Sequence, residues 1–253
     1  MQDNNQKLIH AYHLAKEFIK KENVIGIQKE KILHKTMKYY ICSDDNKHEV
    51  KINKLSRGVF YADVFENNVI YEIQTSNFNK LRKKLDCFLT NYVVTIVYPL
   101  AHRKIIYKID DNGVISNPHK SPKIGSIFDA FKELYQIKLY LKNPNLNIKI
   151  LLIDLDEYRQ VMVKKYFKNK GYKRQIQIPQ NLYGEINLNN NNDYQTIMNN
   201  LHLTKQFTSE DLAMKAKITK AKATLTLNIL LYLEVVKRVG KDGNRYIYEL
   251  VCD

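Results

Sequence analysis

The sequence predicts an α/β fold in which helices flank a mixed sheet, followed by a smaller domain of helices and a hairpin. Apolar residues recur at helical spacing in residues 8–21 and 28–41, and three strand patterns follow them. A helix pattern then leads to "YVVTIVYPL", which is apolar on both faces, as a buried strand requires. The order helix, three strands, helix, strand favours a mixed sheet covered by helices.

The strand patterns are "HEVKI", "GVFYADVF" and "VIYEIQT". Because Asn tolerates positive φ, "ENN" between the last two predicts a hairpin turn. The next helix is predicted in "FNKLRKKLDCFL", and Pro99 is expected to end the buried strand. A hairpin turning at residues 111–113, a helix in "SIFDAFKELYQIKLYLKN" and a strand in "NIKILLIDLDEY" complete a first domain of residues 1–163.

Residues 164–193 are predicted to form a basic, Asn-rich linker, since residues 164–174 hold six basic side chains and no acidic one. Residues 194–253 predict a second domain, with helices in "DYQTIMNNL", "TSEDLAMKAKI" and "TKAKATLTLNILLYLEVV". Thr208 or Ser209 is placed to cap the second helix. Two strands around a Gly-Lys-Asp-Gly turn end the chain, and three helices followed by a hairpin is the arrangement of a winged helix-turn-helix.

The composition indicates a polyanionic partner. The 253 residues carry a formal net charge of +15 and the sequence pI is about 9.5, which attracts phosphates regardless of base sequence. A chain rich in Lys, Asn, Ile and Tyr is also what an AT-rich genome encodes, so both interpretations stay open. The three cysteines form no CxxC pair that would suggest zinc. The apolar stretches are too short to span a bilayer, and we expect a soluble cytoplasmic protein.

Three polar side chains interrupt the apolar strand pair. Glu72 and Gln74 share one face of their strand, and Asp63 lies on the preceding strand across the "ENN" turn. Antiparallel pairing brings Asp63 close to Glu72. Two carboxylates and an amide oxygen at a sheet end suit Mg²⁺ or Mn²⁺. Alternatively, Glu72 and Gln74 line a solvated strand and Asp63 caps a turn.

Residues 28–100 resemble the PD-(D/E)xK superfamily of nucleases, which have the restriction-endonuclease-like fold. The resemblance is carried by a helix with Glu30, by Asp63, by "EIQ" at 72–74, and by the helix and buried strand that follow. It implies that Asp63 and Glu72 ligate the metal, that Gln74 orients the attacking water, and that Glu30 is an accessory acid. Gln74 departs from the usual Lys and carries no charge, which Lys80, Lys83 or Lys84 on the next helix are placed to supply.

The sequence is also similar to an uncharacterised bacterial family with "HEV", "EIQT", "VYP" and "SPK" stretches, which supports two domains without indicating a substrate. His34 and Glu49 are either further ligands or ordinary polar residues. In a winged helix the third helix enters the major groove and the hairpin contacts the backbone. The residues predicted to bind DNA are therefore Thr219, Lys220, Lys222 and Thr224 on that helix, with Lys237, Arg238, Lys241 and Arg245 on the hairpin.

These features predict a metal-dependent endonuclease that acts on DNA and is targeted by its winged helix. A homodimer is consistent with this prediction, because double-strand cutting needs two sites. A catalytically inactive nuclease-like protein that binds DNA is the alternative. A protein-interaction module is a third hypothesis, which an absence of salt-sensitive DNA affinity would favour.

Overall fold

A computed structural model describes residues 2–21, 32–55, 58–110, 112–162 and 171–251. It confirms an α/β architecture in which helices flank a mixed sheet. The helices are α1 (Gln2–Lys21), α2 (Ile32–Ile41), α3 (Arg82–Phe88), α4 (Ile127–Gln136), α5 (Asn191–Asn199), α6 (Ser209–Lys215) and α7 (Lys220–Tyr232). The strands are β1 (His48–Leu55), β2 (Gly58–Glu66), β3 (Val69–Ile73), β4 (Val93–Ile109), β5 (His119–Lys120), β6 (Leu146–Met162), β7 (Gly171–Leu188), β8 (Val236–Asp242) and β9 (Arg245–Leu250).

The main sheet has the strand order β1-β2-β3-β4-β6-β7, with β5 paired to part of β4. The first three strands run antiparallel, β4 lies parallel to both β3 and β6, and β7 returns antiparallel to β6. The predicted turn between β2 and β3 is confirmed. Asn67 and Asn68 have φ angles of 49° and 63°, which Asn adopts more readily than most residues.

The prediction that Pro99 ends the buried strand is wrong, because β4 continues past it to Ile109. The pairing of β3 with β4 stops where Ile73 lies opposite Val97, so Pro99 lies beyond the end of β3. On the other side Pro99 stays in register with Leu151 of β6. A proline without an N–H is tolerated where a strand lacks a neighbour on one side.

The predicted linker also differs from the structure. Residues 171–188 form β7, which pairs with β6 along its length, and residues 164–170 lie outside the described residues. The polar composition of this segment does not prevent it from forming a strand, because β7 is the last strand of the sheet. Asn190 accepts a hydrogen bond from the backbone of Asp193 and caps α5, so the Asn-rich run is in part a helix start.

Two apolar clusters cover the two faces of the sheet. α1 and α2 contribute Leu8, Ala15 and Met37 to the first cluster, which packs on Val97 and Leu151 of the sheet. The second cluster packs α3 and α4 onto the sheet, and it also contains apolar residues of the C-terminal helices, among them Leu212, Leu227 and Leu230. The three C-terminal helices and the β8-β9 hairpin therefore share a core with α4. None of the helices that the structure describes is both long and apolar enough to cross a membrane.

Gly125, just before α4, lies where a side chain has no room. A Cβ at this position would be 2.0 Å from the carbonyl oxygen of Ala101, while the Gly125 N–H donates to the carbonyl of His102 at 2.7 Å. We expect Gly125→Ala to lower the free energy of unfolding by about 3 kcal/mol, because the backbone of β4 must shift. Urea denaturation measures this. Gly184→Ala is the matched control, since its Cβ would meet nothing within 4 Å, and an equal loss in both variants would contradict the expectation.

Candidate functional site

The candidate site lies where β2 and β3 separate. The pairing of these strands ends at Val64 opposite Tyr71, and Asp63 and Glu72 are the next residues on each strand. Beyond this point β2 continues against β1, and β3 continues against β4. The two acidic residues that the sequence singles out therefore face each other across a fork in the sheet.

Asp63 bridges the fork with its side chain. Its Oδ2 accepts a hydrogen bond of 2.8 Å from the backbone N–H of Ile73 on β3, and the carboxylate is almost fully buried. His34 Nε2 lies 3.4 Å from Oδ2 and Lys38 Nζ lies 3.3 Å from Oδ1, so α2 supplies two groups to this acid. Burial alone would raise the pKa of Asp63, but the contacts with His34 and Lys38 outweigh it and hold this pKa below its usual value.

Glu72 bridges the fork in the opposite direction. Its carboxylate accepts from the backbone N–H of Asp63, and the residue is only 1% exposed. Lys84 Nζ of α3 donates to both Glu72 oxygens, at 2.7 and 3.0 Å, and to the carbonyl of Tyr61 at 2.8 Å. Burial raises the pKa of Glu72 to about 8, and the charge of Asp63 adds to the shift while Lys84 opposes it.

Of the three lysines that the sequence offered as a source of positive charge, the structure places Lys84 against the acids. Lys80 and Lys83 are exposed on their segment. Sequence reasoning missed Lys38, which is 3% exposed and pairs with both Asp63 and Glu49. The available signal was its position one turn after His34 on the buried face of α2.

The three remaining acidic or amide residues predicted for the site are Gln74, Glu49 and Glu30. Gln74 donates its amide N–H to the backbone carbonyls of Ser76 and Asn77, so this group folds back onto its own loop. Glu49 has a largely exposed side chain and a φ of 51°, and its carboxylate accepts from Lys38. Glu30 lies outside the described residues.

The chemistry of the donors suits a hard divalent cation, since two carboxylates converge on the fork. Each carboxylate contacts a lysine ammonium, so an incoming cation would exchange with Lys84 at Glu72 or with Lys38 at Asp63. Within the described ranges, no group of three or more His, Cys, Asp and Glu side chains is arranged to hold a metal. A bound Mg²⁺ would thus take two protein carboxylates and complete its coordination with water, as Mg²⁺ commonly does.

The residues predicted to bind DNA on α7 are partly committed to contacts inside the protein. Thr219 caps the helix by accepting from the N–H of Lys222, and the Lys222 ammonium pairs with Asp129 of α4. Lys220 pairs with Glu210 of α6, while Thr224 is exposed. These contacts hold the start of α7 against α4 and α6 and leave a narrow exposed strip.

The basic residues of the β8-β9 hairpin are exposed and close together. Arg238 and Lys241 lie over the ring of Tyr246, at 3.9 and 4.7 Å from its centroid. Arg245 pairs with Glu210 and Asp242, and Lys237 lies 3.7 Å from Glu249. Arg238 and Lys241 therefore share one surface of the hairpin with the ring of Tyr246.

Residues 31–189 match a family model described as a domain of unknown function, DUF8091, and this match covers well over half of the chain. A protein of Treponema pallidum (strain Nichols), described as an uncharacterized protein, is 30% identical over 129 residues. The aligned part is 51% of this chain and 50% of that protein, so the chain spans about half the length of that relative. No solved structure matches the chain.

Proposed function

Since the chain belongs to the DUF8091 family, whose function is unknown, we propose from the geometry of the fork that it is a metal-dependent endonuclease acting on DNA phosphodiesters. The observation that carries the proposal is the placement of Asp63 and Glu72 on either side of the fork, with the ammonium of Lys84 between Glu72 and β2. In metal-dependent phosphodiester hydrolysis, paired carboxylates can hold the metal, and a neighbouring cation can offset the negative charge at the phosphate.

The strand arrangement supports the same proposal. Three antiparallel strands, a helix and a parallel fourth strand follow one another, with the acids on the second and third strands, as the resemblance to the PD-(D/E)xK nucleases implies. The C-terminal helices and hairpin have the element order of a winged helix, and in this proposal they supply affinity for DNA. The exposed cations of the hairpin are the groups suited to phosphate contacts.

In this proposal Asp63 and Glu72 hold Mg²⁺ or Mn²⁺, which when bound activates water and offsets negative charge at the phosphate. Lys84, which contacts Glu72, would supply near the phosphate the positive charge that Gln74 lacks. Gln74 would orient the attacking water. Because Glu72 must be ionised to hold the metal, and burial raises its pKa, metal affinity is expected to increase with pH through that pKa and to level off above it.

A second candidate function is a catalytically inactive, nuclease-like protein that binds DNA. The observation that favours it is that lysines already neutralise both acids, while Asp63 and Glu72 each accept a backbone N–H from the opposite strand. In that case the acids join the two strands where the sheet forks, and they have no ligand.

Incubation of the purified protein with supercoiled plasmid tests the proposal. We expect nicked or linear product in Mg²⁺ or Mn²⁺ and none in EDTA, with a rate that increases as the pH rises toward about 8, where Glu72 loses its proton. Agarose gels measure the conversion. Binding of plasmid without cleavage in either metal would contradict the nuclease and establish the inactive alternative.

A further inference from the structure

A polar cleft of about 490 Å³ opens beside the fork, between the outer parts of β4, β6 and β7 and the segment before α4. Thr75 lines it, and this residue follows Glu72 and Gln74 closely on the chain. Its charged lining residues are Lys104, Lys123, Asp129, Glu157 and Arg159. The cleft was not predicted from the sequence, because the strands that form it extend past Pro99.

A buried carboxylate organises one side of the cleft. Glu157 is 3% exposed and accepts from Arg159 Nε at 2.6 Å, from Gln177 Nε2 at 2.8 Å and from Lys104 Nζ at 3.4 Å. The Glu157 carboxylate thus holds two cations, Lys104 and Arg159, at the lining of the cleft. Each of these cations has more N–H donors than its contact with Glu157 uses.

The other side of the cleft repeats this pattern with different residues. Asp129, in the first turn of α4, pairs with Lys123 at 3.1 Å and with Lys222 of α7. The three cations of the lining, Lys104, Lys123 and Arg159, therefore outnumber its two acids, Asp129 and Glu157. A cleft with fixed cations on two sides attracts a ligand with more than one negative charge.

We propose that this cleft binds a single strand of nucleic acid through consecutive phosphates. The inference extends the proposed function and rests on it, because the strand would pass from the fork past Thr75 into the cleft. A volume of about 490 Å³ is that of a pocket for a small ligand and admits one strand, whereas a duplex is too wide to enter. The substrate class is therefore DNA with an unpaired strand next to the cleaved bond.

Fluorescence anisotropy with a labelled oligo-dT strand in EDTA tests this inference without any cleavage. The test variant is Lys104→Gln/Lys123→Gln, which removes one cation from each acid and leaves Arg159 and Lys222 as their partners. The control is Lys16→Gln/Lys20→Gln, which removes the same charge from exposed positions on α1. A hairpin duplex of equal length serves as the second probe, and thermal denaturation checks that both variants fold.

We expect the parent and the control to bind the single strand with equal affinity. The test variant is expected to bind the single strand about tenfold more weakly, with a slope of log affinity against log salt that is smaller by about 1.4, since two phosphate contacts are lost. The duplex, which the winged helix binds in the proposed function, should bind the test variant and the control equally. Equal affinity of the test variant and the control for the single strand would overturn the inference, and so would an equal loss of affinity for the duplex in the test variant. The binding measurements contain no metal. A negative result in them would therefore not contradict plasmid cleavage, and an absence of cleavage would not change the affinities that they measure.

Discussion

The Asp63→Asn and Glu72→Gln variants are each expected to cleave plasmid about 10³-fold more slowly than the parent, because in the proposed nuclease each removes one of the two anionic ligands of the metal ion. Both substitutions preserve size and a hydrogen-bonding oxygen. The amide oxygen introduced at position 63 can still accept from the N–H of Ile73, and the one introduced at position 72 can still accept from Lys84. We therefore expect both variants to fold although they lose activity, and circular dichroism measures the folding.

The matched control is Glu66→Gln, which removes a carboxylate from the same strand as Asp63 but on the paired side of the fork, where Glu66 contacts Lys47. It is expected to cleave at the parental rate. If Asp63→Asn and Glu72→Gln retain cleavage while the parent remains sensitive to EDTA, the metal is held elsewhere and the assignment of the fork fails.

Lys84→Met separates a role in the reaction from a role in folding. If Glu72 holds the metal as proposed, the Lys84 ammonium competes with it, and the removal of Lys84 is expected to tighten Mn²⁺ binding in calorimetry while it slows cleavage. Lys83→Met, at an exposed neighbouring position, should change neither. Unchanged or weaker Mn²⁺ binding in Lys84→Met would contradict this role, whatever the stability of the variant.

The local parts of the fold were predictable because they depend on short sequence patterns. The "ENN" turn needs positive φ, and Asn67 and Asn68 supply it; Thr208 has the side chain and spacing of a helix cap. Asp63 and Glu72 were found for the same reason, since strand alternation and one turn fix their relation. Even so, their counter-charges come from Lys38 and Lys84, on helices before and after the strands.

The parts that the sequence did not predict depend on which elements become neighbours. Pro99 by itself predicts the end of a strand. The strand can continue past it because β3 stops opposite Val97 and leaves that side of β4 without a neighbour at this residue. Similarly, the ion pair of Lys222 with Asp129 depends on the packing of α7 on α4, which no local pattern indicates. The cleft depends on both features, because β4 passes Pro99 to reach Lys104, and Asp129 joins α4 to α7. Its acids and cations are far apart along the chain, so no local pattern indicates them.

The Lys38→Met variant is expected to lower the free energy of unfolding by about 3–5 kcal/mol at pH 7, because it leaves the buried carboxylate of Asp63 without its ammonium partner. Lys38 lies 3.3 Å from Asp63 Oδ1, and both side chains are buried. The loss should shrink as the pH falls below about 4. In the parent the pKa of Asp63 is lowered, so the ion pair stabilises the fold above the unfolded pKa and is lost in acid. Urea denaturation at several pH values measures both effects.

Two further variants test whether the lost stability comes from charge. Lys51→Met removes an exposed lysine from β1 and is expected to change the free energy of unfolding by less than about 0.5 kcal/mol. Lys38→Met/Asp63→Asn should recover much of the stability, because a neutral amide at residue 63 needs no counter-ion while it still accepts from Ile73. A loss in Lys38→Met that is independent of pH and not recovered in the double variant would show that Lys38 stabilises α2 through packing, and that the fork does not require its charge.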